Sequence, residues 1–403
     1  MQTQVQVTEH SVAGYWDRGF DEAGFQAWVE QLRGRLGTKR PTLGLVFVTP
    51  PLFEHAAELL EIAQVHGRVA TLAGCSGASV IAGSQEIEDR GGLALGLYHL
   101  PGAELKATRV TQALVEEANG PAYWHAESGV GVDQAHGWLA FADPFHMDCE
   151  RWVEQWNEAY PGLPLAGGLA SGSPQEQRSQ LYLNGEVFEE GAVALAFGGD
   201  IALLTVVSQG CTPIGEPWTI TKVDGNVIQQ IGNQPAYKVL VETFNSLPQD
   251  QQRRAQGNLM VGFVVNEYQE EFHRGDFLVR NLLGGDPNSG ALAVGATPRP
   301  GQSLQFQCRD AAAANEDMVE LLRRAKQQVG PRPILGGCLC ACNGRGQRLF
   351  GKPSHDAGLS QKTLGPFGLT GFFCNGEIGP VGARNFLHGY TASLALFLPR
   401  QAG

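Results

Sequence analysis

The stretch LGLVFVTPPLFEHAAELLEIAQVHGRVATLAGCSG, residues 43–77, contains a strand–helix–strand pattern. Its first seven residues are apolar and rich in β-branched side chains, which is typical of a strand buried on both faces. Residues 53–64 have the periodicity of a helix, and residues 68–74 predict a second strand that leads to Cys75. This β-α-β unit indicates an α/β fold and places a loop of small residues after its second strand.

The middle of the chain carries two hairpin signals. Asn184-Gly185 and Asp224-Gly225 each lie between two short alternating runs, as the turns of β-hairpins do. After residue 310, NEDMVELLRRAKQQVG has the periodicity of a helix, and RPILGGCLCAC has the composition of a buried strand. We therefore predict an α/β (α+β) fold with two pseudo-similar α/β halves, whose mixed and partly antiparallel sheets pack together.

The predicted boundaries divide the chain into three segments. We expect an N-terminal tail over residues 1–11, an α/β module over residues 12–212 and a second α/β module over residues 213–403. The boundary falls at CTPIGEP, where turn-forming residues interrupt the apolar pattern. No Pro-rich or low-complexity linker separates the modules, so we expect them to pack rigidly.

Composition excludes several classes of protein. The chain has 403 residues, of which 43% are hydrophobic and 17% are charged, as in a well-packed globular protein. Its net charge of −12 and its lack of a Lys/Arg cluster argue against nucleic acid or an anionic membrane as a partner. No signal peptide and no apolar run of about 20 residues are present, so we expect a cytoplasmic protein. The eight cysteines are too sparse for a disulfide scaffold, so we expect reduced thiols.

Three apolar runs end on a cysteine, a small polar residue and a glycine. These triplets are Cys75-Ser76-Gly77, Cys342-Asn343-Gly344 and Cys374-Asn375-Gly376. Asn-Gly is a favoured hairpin turn, and the segment QRLFG after the second triplet is a candidate partner strand. After the third triplet, a glycine and a proline follow Glu377, so we expect a loop that carries a carboxylate.

The clustered cysteines Cys338, Cys340 and Cys342 do not have the spacing of a metal site. On a strand, residues i and i+2 lie about 6.6 Å apart. Two thiolates on one tetrahedral zinc ion would lie about 3.8 Å apart. We therefore expect three small side chains packed inside a sheet, with no metal and no cofactor.

A nucleophilic thiol is an alternative that the residues leave open. Cys75 and Cys374 each end a predicted strand and precede turn amides that could form an oxyanion hole. His355 or His388 could serve as the base, which would make the protein a hydrolase of a small amide or ester. No GxxxxGK[ST] loop and no strand-linked GxGxxG is present to indicate nucleotide binding.

Four stretches together resemble the FIST family of sensory domains, which is named for F-box and intracellular signal transduction proteins. They are LAGCSGASVIAG (72–83), PLAGGLASG (164–172), CACNGRGQRLFG (340–351) and GFFCNGEIGPVGARNFLHGYTASLALF (371–397). The resemblance covers nearly the whole chain, as a FIST N-terminal module followed by a FIST C-terminal module. It implies a cytosolic sensor of a small molecule, an amino acid or a related metabolite. We expect its output to run through a separate signalling partner.

The resemblance also suggests where the ligand would bind. We expect the loops around the three triplets to lie near one cleft, with Arg345 binding a ligand carboxylate and Glu377 binding an ammonium group. Arg348 is a second arginine in the same loop as Arg345. The full set of predicted ligand-binding residues is Cys75, Ser76, Asn343, Arg345, Cys374, Asn375, Gly376 and Glu377. A ligand-free scaffold for protein partners is the third hypothesis, beside the sensor and the hydrolase.

Overall fold

The computed structural model describes residues 6–172 and 177–401. The chain divides into two compact units: Met1–Val207 with Val319–Gly403, and Ser208–Met318. We call these unit 1 and unit 2. The boundary between the two predicted α/β modules, after residue 212, remains a prediction.

The helices and the mixed sheets described below together confirm the predicted α/β class. Those in the described ranges are α1 Glu22–Gly34, α2 Ala56–Gly67, α3 Gln112–Glu117, α4 Pro121–Ser128, α5 Cys149–Ala159, α6 Ala236–Ser246, α7 Gln249–Ala255, α8 Ala311–Val329, α9 Gly346–Phe350 and α10 His355–Leu364. None of these helices combines the length and the apolar character that a bilayer crossing requires.

The described residues of unit 1 form three sheets. In chain order its strands are β1 Gln6–Val7, β2 Ser11–Trp16, β3 Leu43–Val48, β4 Thr71–Ser76, β5 Val80–Ala82, β6 Gln85–Ile87, β7 Leu93–Tyr98, β8 Ala103–Val110, β9 Gly137–Ala142, β10 Leu165–Leu169, β11 Leu181–Leu183, β12 Glu186–Phe188, β13 Ala192–Gly199 and β14 Ile201–Ser208. Unit 2 contributes β15 Cys211–Asp224, β16 Val227–Ile231, β17 Gln234–Pro235, β18 Leu259–Val264, β19 Phe277–Asp286, β20 Ala291–Val294 and β21 Ser303–Arg309. Unit 1 then continues with β22 Gly336–Cys342, β23 Leu369–Cys374, β24 Gly376–Val381, β25 Arg384–His388 and β26 Ala392–Pro399.

Each sheet of unit 1 is built around one parallel pair of strands. The strand orders are β1-β2-β7-β3-β4-β11-β12, β25-β24-β10-β9-β13-β8 and β14-β26-β22-β23-β5-β6. The parallel pairs are β3 with β4, β9 with β10, and β22 with β23. Helix α2 joins the first pair, α5 joins the second, and α9 with α10 join the third, so the described part of unit 1 contains three β-α-β units. The first is the unit predicted from residues 43–77.

Local sequence signals account for several of these elements. Helix α1 begins after Asp21, whose carboxylate accepts a hydrogen bond from Gly24 N at 3.0 Å, as an N-cap residue does. Its apolar face buries Phe25, Val29 and Leu32. The turn Asn184-Gly185 joins β11 to β12, as predicted, and both residues have positive φ.

Unit 2 is a single sheet with its own apolar core. Its strand order is β15-β21-β18-β19-β20-β16-β17, and neighbouring strands in it pair in antiparallel fashion. The predicted hairpin near Asp224-Gly225 is present between β15 and β16, with Asp224 opposite Val227. Buried side chains of α6 such as Val239 pack with Ile228 and Phe306 of the sheet. Helix α6 and the sheet therefore contribute to the same hydrophobic cluster in unit 2.

Two expectations about the triplets are wrong. The segment after Cys342-Asn343-Gly344 does not return as a hairpin strand, because residues 346–350 form α9 and β22 pairs in parallel with β23. The segment after Cys374 is not a loop, because Glu377 lies in β24 between β10 and β25. Pro380 is tolerated there because the pairing with β10 covers only residues 376–378 of β24.

Candidate functional site

The carboxyl ends of the three parallel pairs meet at one place in unit 1. Ser171 N, after β10, donates a hydrogen bond to Ser76 O at the end of β4, at 3.1 Å. Asn375 N, after β23, donates to Leu169 O of β10 at 3.1 Å. Asn343 N, after β22, donates to Cys374 O at 3.0 Å. Loops at the carboxyl ends of parallel strands are a common place for ligand sites in α/β proteins.

Ser171 links these loops through its side chain, and sequence reasoning did not single it out. Its hydroxyl accepts a hydrogen bond from Ala78 N at 2.7 Å and donates one to Phe373 O. Phe373 N in turn donates to Ser79 O at 2.9 Å. The Ser171 side chain is buried, so these bonds hold the loops of three β-α-β units together.

A cavity of about 620 Å³ opens where these loops meet. Its volume lies in the range of small-molecule sites, which is about 300–1,000 Å³. The lining residues are Ala78, Ser79, Glu88, Asp89, Phe145, Gly172, Asn343, Gln347, Arg348, Phe373 and Asn375. Residues from all three predicted triplet regions, or next to them, therefore lie at one cavity.

The cavity wall carries charges of both signs. Glu88 and Asp89 are acidic, and Arg348 is basic. The Glu88 carboxylate accepts a hydrogen bond from Gln347 N, with N–O distances of 2.9 and 3.1 Å. The pKa of Glu88 is raised overall. Partial burial and the nearby Asp89 charge raise it, and they outweigh the Gln347 N–H and the Arg348 charge, which lower it. Glu88 and Arg348 therefore attract each other electrostatically within the same site.

Two asparagine side chains add a neutral polar wall. Asn343 Nδ2 donates to Asn375 Oδ1 at 2.9 Å, and Asn375 Nδ2 donates to Ala170 O at 3.1 Å. These two residues are the members of the predicted set that line the cavity. Their mutual hydrogen bond holds the ends of β22 and β23 in register at the cavity.

Arg345 is not among the residues that line the cavity. Its guanidinium is fully buried and pairs with Asp356 through two bonds, Nε–Oδ2 at 2.6 Å and Nη2–Oδ1 at 3.0 Å. Burial favours a raised pKa for Asp356, but the Arg345 charge and a hydrogen bond from His355 overcome this effect and lower it. The two-bond geometry shows that Arg345 anchors the loop before α9 to the start of α10.

Glu377 is also buried away from the lining residues. Its Oε2 accepts a hydrogen bond from Thr391 N at 2.9 Å, and its Oε1 accepts one from Cys374 Sγ at 3.1 Å. Burial raises the pKa of Glu377 to about 8, although these hydrogen bonds and the Arg345 charge oppose the shift. At neutral pH the carboxyl group therefore carries its proton, which does not suit it to hold an ammonium group.

The other predicted residues form the support of the loops. Cys75 lies in the apolar core, where burial raises the pKa of its thiol. Ser76 Oγ accepts a hydrogen bond from Gln180 N at 2.9 Å. Gly376 pairs with Leu169 at the start of β24. These residues are not among those that line the cavity within the described ranges.

The thiols proposed as nucleophiles are held as neutral groups. Cys374 is fully buried and also donates to Ala341 O at 3.3 Å. Burial, together with the nearby Glu377 charge, raises the pKa of Cys374 well above its usual value. His355 Nδ1 lies 3.0 Å from Asp356, and His388 Nε2 lies 2.9 Å from Gly379 O. A thiol with a raised pKa is a poor nucleophile, so this geometry gives the hydrolase alternative little support.

The sequence analysis did not identify the acidic residues of the cavity, Glu88 and Asp89. Glu88 and Asp89 follow β6, which lies after the first triplet and outside all three of the triplet loops. The acidic run QEIED at residues 85–89 was the available signal, but such runs are usually solvated surface. Within the described ranges, no three His, Cys, Asp or Glu side chains are grouped as metal ligands.

Comparison with known proteins places the chain in a family. The profile of the FIST N domain matches residues 42–234, and that of the FIST C domain matches residues 236–380. An uncharacterized protein of Mycobacterium tuberculosis is 36% identical over 366 residues, which cover 91% of this chain and 94% of that protein. An uncharacterized protein of Mycobacterium bovis is 34% identical over 376 residues, which cover 93% of this chain and 95% of that protein.

Among solved structures, a chain of cyanuric acid hydrolase is similar at low level. The alignment covers 97% of this chain and 99% of that chain, with a TM-score of 0.33 and 10% sequence identity. These values carry no inference about activity. The two family profiles, however, confirm the resemblance seen in the sequence. The chain belongs to the FIST family, whose domains are sensory domains of signal transduction.

Proposed function

We propose that this FIST protein senses a small zwitterionic metabolite, an amino acid or a close relative, which binds in the cavity of unit 1. One observation carries the proposal. The basic side chain of Arg348 and the acidic side chains of Glu88 and Asp89 line the same cavity. An amino acid needs a cationic donor for its carboxylate and an anion for its ammonium group. Both are available here within a volume of about 620 Å³.

In this proposal the direct contacts differ from those first expected. Arg348 takes the role expected of Arg345, and Glu88 with Asp89 takes the role expected of Glu377. Asn343 and Asn375 remain proposed ligand contacts, since their amides line the cavity. Arg345 and Glu377, which are buried and bound to protein groups, position the loops.

The signal would leave the protein through a separate partner. We propose a signalling protein in the cytoplasm, without nucleic acid or membrane, because the chain carries a net charge of −12 and no basic cluster stands out in its sequence. The support for a ligand-driven output is that the Ser171 and Asn375 side chains connect the cavity loops through hydrogen bonds. In this proposal, a ligand that orders these loops changes the surface that they present to the partner.

A thermal-shift screen with amino acids, their amines and their carboxylic acids tests the proposal. A ligand present at about 100 times its dissociation constant should stabilise the protein by about 2.7 kcal/mol. We expect a zwitterion to raise the melting temperature more than an amine or an acid of the same size. If no amino acid or related metabolite raises the melting temperature at millimolar concentration, the proposal is wrong.

A further inference from the structure

Cys342 and Cys374 end neighbouring parallel strands and lie directly opposite each other. The register of β22 with β23 pairs these two residues. Neighbouring strands are about 4.8 Å apart, and opposite residues in a parallel pair project to the same side. A disulfide accepts Cα separations of about 4.4–6.8 Å. Unlike the alternating cysteines within β22, this cross-strand pair therefore has a spacing that a disulfide can bridge.

The two thiols share one carboxyl group. Cys374 Sγ donates to Glu377 Oε1 at 3.1 Å, and the Cys342 thiol is a further hydrogen-bond donor to the Glu377 side chain. A protonated carboxyl group between two thiols can accept the proton that a thiol must lose on one oxygen while it gives its own proton to a leaving group from the other. The same contacts hold both sulfur atoms near each other.

The two cysteines differ in their access to solvent. Cys342 is half-buried, whereas Cys374 is fully buried. The Cys342 sulfur also accepts a hydrogen bond from Gly344 N at 3.4 Å, and such a donor favours the thiolate form. The residues that follow the two cysteines, Asn343 and Asn375, line the cavity. A small oxidant would therefore meet Cys342 first, with Cys374 behind it.

We propose that Cys342 and Cys374 form a redox modification site, at which a hydroperoxide converts the pair into a disulfide. The Cys342 sulfur attacks one peroxide oxygen, the O–O bond breaks, and water leaves, so that Cys342 becomes a sulfenic acid. The Cys374 sulfur then attacks the Cys342 sulfur and the S–O bond breaks. The protonated Glu377 gives its own proton to the leaving hydroxide, which departs as a second water, and takes up the Cys374 proton on its other oxygen. Two thiols and one hydrogen peroxide thus give one disulfide and two waters.

This modification is independent of the molecule that the cavity binds. It would remove both thiol donors from Glu377 and fix the ends of β22 and β23 to each other next to Asn343 and Asn375. Failure of the ligand proposal would leave the redox site intact. Failure of the redox site would leave the ligand proposal intact.

The test is mass spectrometry of the folded full-length protein after treatment with hydrogen peroxide. Remaining thiols are alkylated, and digestion should yield a peptide in which Cys342 is linked to Cys374. Cys342→Ser and Cys374→Ser should each abolish this peptide. Cys149→Ser should retain it, since Cys149 is a buried thiol at the start of α5 whose bond to Asp143 O a serine can keep. Melting curves of the variants show that each one is folded.

A second measurement tests the role of Glu377 in positioning and proton transfer. In Cys374→Ser, peroxide should leave a sulfenic acid at Cys342 that a dimedone probe traps. In Glu377→Gln the sulfenic acid should form and the disulfide should appear at least tenfold more slowly, with a weaker dependence on pH. The proposal is overturned if Cys342 is oxidised in the wild type without a link to Cys374. It is equally overturned if neither cysteine reacts in the folded protein under conditions that oxidise the unfolded chain.

Discussion

At the scale of single residues, two charged side chains next to glycines were selected from the sequence as ligand contacts, and neither of them is among the residues that line the cavity. Arg345 and Glu377 are both fully buried, and each is bound to protein groups. The sequence shows that these residues stand in glycine-rich segments. It does not show that α9 begins at residue 346 and brings Arg348 to the cavity wall, since that depends on contacts between distant segments.

Burial of Glu377 predicts a pH-dependent stability. Its pKa is raised from 4.5 to about 8, so between these values the folded protein keeps a proton that the unfolded chain has released. The contribution of this group to the unfolding free energy is therefore fully present below about pH 4.5 and is lost as the pH rises through about 8. Relative to Glu377→Gln, the wild type should lose at most about 1.4 kcal/mol per pH unit in this window.

Denaturant unfolding of both proteins across this pH window is the measurement. Glu61→Gln, at an exposed position of α2, is the matched control and should follow the wild type at every pH. Parallel stability curves for the wild type and Glu377→Gln would show that Glu377 does not hold a proton in the folded state.

At the scale of elements, the three β-α-β units repeat one packing device. In the second strand of each parallel pair, a glycine lies so close to the first strand that a Cβ would overlap a backbone carbonyl group. The glycines and the residues that bear those carbonyls are Gly74 with Val46, Gly167 with Ala140, and Gly371 with Leu339. The three β-α-β units therefore share one local requirement for glycine, which the glycine-rich composition alone could not establish.

The glycine device gives a stability prediction. In Gly371→Ala, the new Cβ would lie 2.7 Å from Leu339 C and closer still to Leu339 O, so β22 and β23 must separate. Such overpacking costs about 1–3 kcal/mol. Gly34→Ala, at the end of α1, meets no atom of the described structure within 4 Å and should be neutral or stabilising. Chemical denaturation compares the two, and equal stabilities would contradict the proposed close approach.

Sequence reasoning performed best where one element carries its own signal. The β-α-β unit of residues 43–77 and the turn Asn184-Gly185 are both confirmed. It was wrong where tertiary pairing decides the outcome. Asn343-Gly344 has the composition of a hairpin turn, yet β22 receives β23 as its parallel partner and the chain turns into α9 instead.

At the scale of the whole molecule, the cavity collects residues that are distant in the chain. Its wall draws on residues 78–89, residue 145, residue 172 and residues 343–375, and thus on segments matched by both FIST profiles. The Ser171 hydroxyl joins these loops because it accepts a hydrogen bond from Ala78 N and donates one to Phe373 O. We therefore expect Ser171→Ala to weaken ligand binding, although Ser171 does not line the cavity. Loss of two buried hydrogen bonds should also lower stability by about 1–3 kcal/mol.

Calorimetry and melting curves of this variant check the expectation. Ser171→Cys, which keeps a weak donor at a similar size, should restore part of the stability. If Ser171→Ala changed neither stability nor affinity for a ligand found by the screen, the loops would not depend on this link.

The central claim is that Arg348 and Glu88 bind the two charges of a zwitterion, and calorimetric titration of a ligand found by the screen tests it most directly. Arg348→Gln and Glu88→Gln should each weaken binding by about 1.5–3 kcal/mol, which is roughly tenfold to a hundredfold. The matched controls Arg384→Gln and Glu61→Gln, at exposed positions outside the cavity lining, should bind like the wild type. For an analogue that lacks the carboxylate, Arg348→Gln should have little effect. Unchanged affinity of the zwitterion for both Arg348→Gln and Glu88→Gln would contradict the account.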